Sequence, residues 1–134
     1  MADNVALFSD AKANQIREDK ARKKARLAEA KRRAESRPDD SRSLMDYGDA
    51  LFDCGYLQEA EKVFSGILDA NKDNVDLVFN LGFTFLKQGK GAEAAQQFKR
   101  VIALAPKSPL ARSAEYELWH IDPSLKPRWV SKKS

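Results

Sequence analysis

The sequence repeats a 34-residue segment, first as SRSLMDYGDALFDCGYLQEAEKVFSGILDANKDN (residues 41–74) and again as VDLVFNLGFTFLKQGKGAEAAQQFKRVIALAPKS (residues 75–108). Five residues of the first copy recur unchanged 34 positions later, in the pairs Gly48 and Gly82, Gly55 and Gly89, Glu59 and Glu93, Ala60 and Ala94, and Phe64 and Phe98. A period of this length indicates a helical repeat, in which each unit buries its apolar face against a neighbouring unit.

The spacing within each copy resembles the tetratricopeptide repeat. In that pattern a bulky residue precedes glycine, an aromatic residue follows three positions later, alanine and an aromatic residue lie four apart, and proline closes the unit. The second copy carries all of these places, as Leu81, Gly82, Phe85, Ala94, Phe98 and Pro106. The resemblance implies an all-α fold of antiparallel helical hairpins stacked as a right-handed superhelical solenoid.

The pattern predicts four repeat helices and one further helix. The repeat helices are expected at residues 41–54, 57–70, 75–88 and 91–104, the first of them capped by Asp40 or Ser41. Pro109 can open a fifth helix, because its missing N–H is not needed there. Tyr116 replaces the repeat glycine, so residues 109–120 are expected to cap the repeats, giving a domain of residues 41–120. The tail, residues 121–134, either folds back on the repeats or extends to a partner.

Residues 1–38 are expected to form a charged helical arm. From Ala11 to Ser36 the chain is rich in Ala, Lys, Arg and Glu and contains no Gly or Pro, which favours a helix beginning after a cap at Ser9 or Asp10. Ile16 and Leu27 are the only larger apolar residues in this stretch, too few for the seam of a coiled coil. We therefore expect a long helix that is largely solvated.

The charge is unevenly distributed, with +5 in residues 1–38, −3 in residues 39–108 and +2 in the remainder. The basic residues of the arm are Lys12, Arg17, Lys20, Arg22, Lys23, Lys24, Arg26, Lys31, Arg32 and Arg33. Such a helix can contact the phosphates of RNA or of an anionic membrane, dock on an acidic protein, or simply be solvated. It lacks the aromatic residues that stack on bases and the broad apolar face of a membrane-lying helix.

Catalytic chemistry is not indicated. His120 is the single histidine and Cys54 the single cysteine, and the glycines at 89 and 91 join two helices rather than a strand and a helix. We therefore expect neither an enzyme nor a bound cofactor. One cysteine cannot form an internal disulfide, which favours a reducing, cytoplasmic compartment.

The resemblance implies a groove lined by the first helix of each repeat. The positions that face it would be Arg42, Met45, Asp46, Asp49, Phe52 and Asp53 in the first copy, and Asp76, Phe79, Asn80, Phe83, Leu86 and Lys87 in the second. The repeat's own packing pattern does not require the three phenylalanines, so we expect a partner peptide or helix to bury them. The competing occupants are the chain's own arm and tail. The basic and asparagine clamp by which some family members hold a carboxylate is incomplete here.

The sequence thus predicts an adaptor or assembly subunit that binds a segment of a partner protein. Attachment to RNA or to an anionic membrane through the arm is the alternative, and so short an array also favours association with another chain, a second copy included. If Phe79 and Phe83 serve only the partner, their truncation to alanine will weaken binding and leave the melting temperature unchanged.

Overall fold

The computed structural model describes residues 2–130, with side chains from residue 9 onward, so residues 131–134 of the predicted tail lie outside the described residues. Within this range the secondary structure is helical, with bounds α1 Ala2–Ser36, α2 Ser41–Asp53, α3 Leu57–Ala70, α4 Val75–Lys87, α5 Gly91–Leu104, α6 Pro109–Ile121 and a 3-10 helix Pro123–Leu125. The all-α prediction is confirmed, and helices α2 to α5 match their predicted bounds to within one residue. None of the described helices combines the length and the apolar character needed to cross a bilayer.

The contacts divide the chain after Tyr56 into two compact units. The first unit contains α1 and α2. Helix α1 begins at Ala2 and not after Ser9 or Asp10, so the predicted cap there is wrong. The physical reason is that residues 2–10 also lack Gly and Pro, and nothing in them stops a helix once it has formed.

Helix α1 is much longer than the helix that it contacts. Its 35 residues span about 52 Å and the 13 residues of α2 span about 20 Å. An ion pair of 2.5 Å between Arg26 Nη1 and Asp53 Oδ2, and a weak hydrogen bond of 3.4 Å from Cys54 Sγ to the Lys23 carbonyl, place the end of α2 beside the middle of α1. The N-terminal half of α1 therefore extends beyond α2.

Burial along α1 follows this difference in length. Ala30 and Ala34, one turn apart, are its buried residues among those described. Between residues 9 and 26 every side chain is exposed except Ala13, which is half-buried. The C-terminal end of α1 therefore supplies the contact with α2, and the rest of the described helix faces solvent.

The second unit stacks α3, α4, α5 and α6, each on the next, with the 3-10 helix on α6. Phe64, Leu77, Val78, Phe98 and Val101 are fully buried and form its core. The repeated alanines at 60 and 94 are also fully buried. The repeat pattern therefore describes the packing of this unit.

A close approach explains the glycine of the second copy. A Cβ atom added at Gly82 on α4 would lie 2.9 Å from Cε1 of Phe98 on α5. Because real Cβ atoms do not come this near to a ring carbon, only glycine lets α4 approach α5 to this distance.

Local signals set the helix ends. Asp40 caps α2 by accepting hydrogen bonds from Ser43 Oγ (2.7 Å) and the Arg42 amide (3.3 Å), and the bond from Ser43 holds the pKa of Asp40 below its ordinary value. Ser108 accepts a hydrogen bond of 3.0 Å from the Ala111 amide, directly before Pro109 at the first turn of α6. Gly89 follows α4 with φ of 78°, a left-handed conformation that favours glycine.

Candidate partner-binding site

Helix α4 carries all six residues predicted from the second copy, Asp76, Phe79, Asn80, Phe83, Leu86 and Lys87. Asp76 and Lys87 are exposed, and the other four are half-buried. Phe79 and Phe83 lie one helical turn apart, and their ring centroids are 5.3 Å apart. The helix thus presents a pair of aromatic rings between two charged ends.

The inner edges of these rings reach the core. The centroid of the fully buried Phe98 ring lies 5.5 Å from Phe79 and 6.0 Å from Phe83, in edge-to-face arrangements. Such aromatic pairs stabilise a fold by about 0.5–1.5 kcal/mol beyond the burial of their area. Because both rings contact the core ring of Phe98, we expect truncation of Phe79 or Phe83 to lower stability as well as binding, and the prediction of an unchanged melting temperature stays untested.

The outer sides of the same rings line a cavity of about 370 Å³ in the second unit. Its wall combines α4, α6 and the tail, and consists of Phe79, Phe83, Arg112, Ser113, Tyr116, Glu117 and Trp129. We call this cavity the α4–α6 pocket. Four of its seven residues are aromatic, and Arg112 and Glu117 bring charges of opposite sign.

Helix α6 contributes an exposed aromatic ridge beside the pocket. Tyr116 is 44 % exposed, and its ring centroid lies 4.3 Å from that of His120 and 6.2 Å from that of Trp119. Nδ1 of His120 lies 2.9 Å from the Tyr116 carbonyl oxygen, one turn earlier. The side chain of His120 therefore makes its polar contact with the backbone of its own helix, α6.

The described part of the tail folds back on α6. Trp129 Nε1 donates a hydrogen bond of 2.8 Å to Glu115 Oε2, its ring lies 6.0 Å from the Arg112 guanidinium carbon, and Pro127 is buried. Of the two alternatives for the tail, folding back is the one that the structure shows as far as residue 130. Trp129 becomes one wall of the pocket and remains 44 % exposed.

Sequence reasoning did not select Arg112, Tyr116 or Trp129 as site residues. The repeat register identifies only the groove faces of the first helices, and α6 and the tail lie outside it. An isolated tryptophan in a short tail with Pro123 and Pro127 was the available signal, since such a ring in a turn-rich segment needs a surface to cover it.

The six residues predicted from the first copy lie on α2, in the first unit: Arg42, Met45, Asp46, Asp49, Phe52 and Asp53. Met45, Asp49 and Phe52 are half-buried, and the other three are exposed. Burial raises the pKa of Asp49, the Arg26 charge opposes this rise, and Asp46 and Asp53, each about one turn away, add to it. The arm's Arg26 partly neutralises this acidic face by pairing with Asp53.

All ten predicted basic residues of the arm are exposed on α1. Several of its arginines are paired, Arg22 with Asp19, Arg26 with Asp53, and both Arg32 and Arg33 with Glu29. The lysines of α1 form no ion pair with a described residue. In the part of the chain that the structure describes, no three His, Cys, Asp or Glu side chains are grouped so that they could hold a metal ion.

Comparisons with known proteins agree on the fold. A tetratricopeptide repeat family model matches residues 51–115. PcrH, solved in complex with the chaperone binding region of PopD, superimposes with a TM-score of 0.69 at 17% identity over 92% of this chain and 95% of its own. YrrB, described as a TPR protein with an unusual peptide-binding site, gives 0.66 at 23% identity over 70% of this chain. This chain spans about half of YrrB, 48%. No curated protein matches the sequence.

Three independent observations now coincide. The family match contains the whole second copy, the Gly82 to Phe98 approach gives the glycine of that copy a physical cause, and the solved structures share its helical arrangement. Residues 51–115 of this chain belong to the tetratricopeptide repeat family, and the described chain has the fold of that family.

Proposed function

We propose that this chain is a non-enzymatic adaptor that binds a segment of another protein, and that the α4–α6 pocket holds an apolar side chain of that segment. The observation that carries the proposal is the pair Phe79 and Phe83, half-buried and turned on their outer sides toward an open cavity. The part of each ring that faces the cavity is available for contact with a partner.

The size and lining of the pocket suit such an anchor. A cavity of about 370 Å³ lies at the lower end of the range of ligand sites and accommodates one or two peptide side chains. Aromatic residues and arginine dominate binding energies at interfaces, and the pocket supplies Tyr116, Trp129 and Arg112 in addition to the two phenylalanines. Arg112 and Glu117 would orient the peptide backbone or its charged side chains.

The related structures support a protein segment as the ligand class. PcrH was solved with a region of another protein bound, and YrrB is described by its peptide-binding site. Neither comparison points to RNA or to a membrane. The six residues of α2 remain predicted contacts, and the exposed Asp46 favours a basic side chain in the partner.

The test begins with a random-sequence peptide library displayed on phage and selected on the full chain. Affinities of a selected, labelled peptide are then measured by fluorescence polarisation. We expect Tyr116→Ala to weaken binding about tenfold or more, as at interface hot spots. Because Tyr116 is exposed, the urea midpoint of the Tyr116→Ala variant should stay near that of the parent protein. Phe83→Leu, which keeps apolar volume in the core and removes the ring, should also weaken binding.

Leu125→Ala serves as the matched control, since Leu125 is 42 % exposed, close to the 44 % of Tyr116, and does not line the α4–α6 pocket. It should leave the affinity of the selected peptide unchanged. Selected peptides that bind the Tyr116→Ala and Phe83→Leu variants as tightly as the parent would overturn the assignment of the pocket.

A further inference from the structure

A second and larger cavity, of about 710 Å³, lies in the first unit between α1 and the end of α2. Its floor is apolar, formed by Ile16, Leu27, Ala28, Cys54 and Tyr56. Ile16 is 59 % exposed and Tyr56 is 50 % exposed, so these side chains do not serve the core. We call this cavity the arm groove.

The rim of the arm groove is strongly basic. Its lysines are Lys20, Lys23, Lys24 and Lys31, all exposed and none in an ion pair with a described residue. The two acids at the rim are already paired, Asp19 with Arg22 and Asp53 with Arg26. The groove therefore presents four uncompensated positive charges around an apolar floor.

We propose that the arm groove is a docking site for an acidic amphipathic helix of another protein, with lining residues different from those of the α4–α6 pocket. The apolar side of such a helix would cover Ile16, Leu27 and Tyr56, and its flanking carboxylates would meet the lysines. Space for it exists because α2 accompanies only the C-terminal part of α1, and an added helix packs at about 8–10 Å from its neighbour. Charge complementarity across the rim sets the choice of partner and speeds its association.

Other occupants fit these features less well. RNA or an anionic membrane would contact the lysines through phosphates. Phosphates could contact Lys12 and Arg17 equally well, and these residues lie outside the groove without an apolar floor, so phosphate contacts alone would not select the groove. Tyr56 is the one aromatic ring in the described wall, too little for stacking successive bases. The α1 helix of a second copy would set lysines against lysines.

The probe is a synthetic 18-residue amphipathic helix of Leu, Ala and Glu, compared with a scrambled peptide of the same composition and with a peptide carrying Lys in place of Glu. We expect the acidic amphipathic peptide to bind the full chain at least about tenfold more tightly than either comparison peptide. The double variant Lys20→Glu/Lys24→Glu should lose about tenfold or more. The control Lys12→Glu/Arg17→Glu changes the net charge equally outside the groove and should lose less than about threefold.

Cys54 locates the bound peptide, because it is the only cysteine of the chain and lies in the groove floor. Its alkylation by iodoacetamide should slow when the acidic amphipathic peptide is present, and Ile16→Ser should reduce both the affinity and this protection. Circular dichroism verifies that the Ile16→Ser variant remains folded.

Three results would overturn the proposal. The first is equal loss of affinity in the groove and control double variants. The second is protection of Cys54 by polyuridylic acid or by phosphatidylserine vesicles and not by the acidic peptide. The third is protection of Cys54 by self-association, seen as a dimer in light scattering. None of these depends on Tyr116 or Phe83, so the outcome is distinguishable from a failure of the proposed function.

Discussion

Replacing Gly82 by alanine tests the close approach on which the repeat packing rests. The new Cβ atom would lie 2.9 Å from Cε1 of Phe98 and 3.2 Å from two further atoms of that ring. Phe98 is fully buried, and its ring packs against those of Phe79 and Phe83, so it cannot turn aside without displacing its neighbours. Overpacking of this kind costs about 1–3 kcal/mol.

The helix propensity of alanine works in the opposite direction. Alanine is better than glycine inside a helix by about 1 kcal/mol, so the net loss at position 82 is expected to be up to about 2 kcal/mol. Gly66→Ala on α3 is the matched control, because Gly66 is exposed and its added Cβ has no neighbour within 4 Å. That variant should gain about 1 kcal/mol.

The difference between the two variants therefore isolates the overpacking contribution of about 1–3 kcal/mol. Urea denaturation followed by far-ultraviolet circular dichroism measures it, with an unchanged m-value as evidence that the same surface is exposed on unfolding. If Gly82→Ala stabilises the protein as much as Gly66→Ala does, α4 and α5 are not in the contact described, and the physical account of the repeat glycine fails.

Two further substitutions test a half-buried charge and a helix cap. Asp49→Asn should raise the free energy of unfolding at neutral pH, because burial raises the pKa of Asp49 and its charge therefore disfavours the folded state. The gain should shrink as the pH falls and the wild-type carboxyl takes up its proton; urea titrations of both proteins at neutral and acid pH measure it, and a gain independent of pH would contradict the explanation. Ser108→Ala removes the cap of α6 and should cost about 1 kcal/mol in the same assay. Ser113→Ala, an exposed serine on the same helix, should change stability by less than about 0.5 kcal/mol, and equal effects would mean that the cap contributes nothing.

The repeat helices were predictable because their signals are local. Asp40 before α2, Gly89 after α4 and Pro109 at the start of α6 act within a few residues, and the structure uses each as expected. The residues that recur unchanged with the 34-residue period include Ala60, Ala94, Phe64 and Phe98, and all four are buried, since the period reports on contacts that recur between like elements.

Only part of the α4–α6 pocket was predictable, because the repeat period reports only on residues within the repeats. Register places Phe79 and Phe83 on one face of α4, but it contains no information on Trp129, which comes from a tail without a counterpart in the repeat. Nor does it reveal that both rings also touch Phe98, because one side chain can line a cavity and support a core at once.

The start of α1 and the arm groove were not predicted, because both depend on the length of α1. A possible cap at Ser9 or Asp10 is a weak local preference, and an uninterrupted run of good helix formers outweighs it. The groove exists only because α2 ends beside the middle of α1, which no count of residues within α1 reveals.

The length of α1 also has a consequence for how such a chain diversifies. A repeat helix is confined by the neighbour it must match, whereas between residues 14 and 22, before the contacts of Lys23 and Arg26 with the end of α2, the side chains of α1 are exposed. Turns added to or removed from this stretch change the reach of the arm by about 1.5 Å per residue while the packed core keeps every contact. The length of the arm can therefore differ between related proteins with almost no effect on stability.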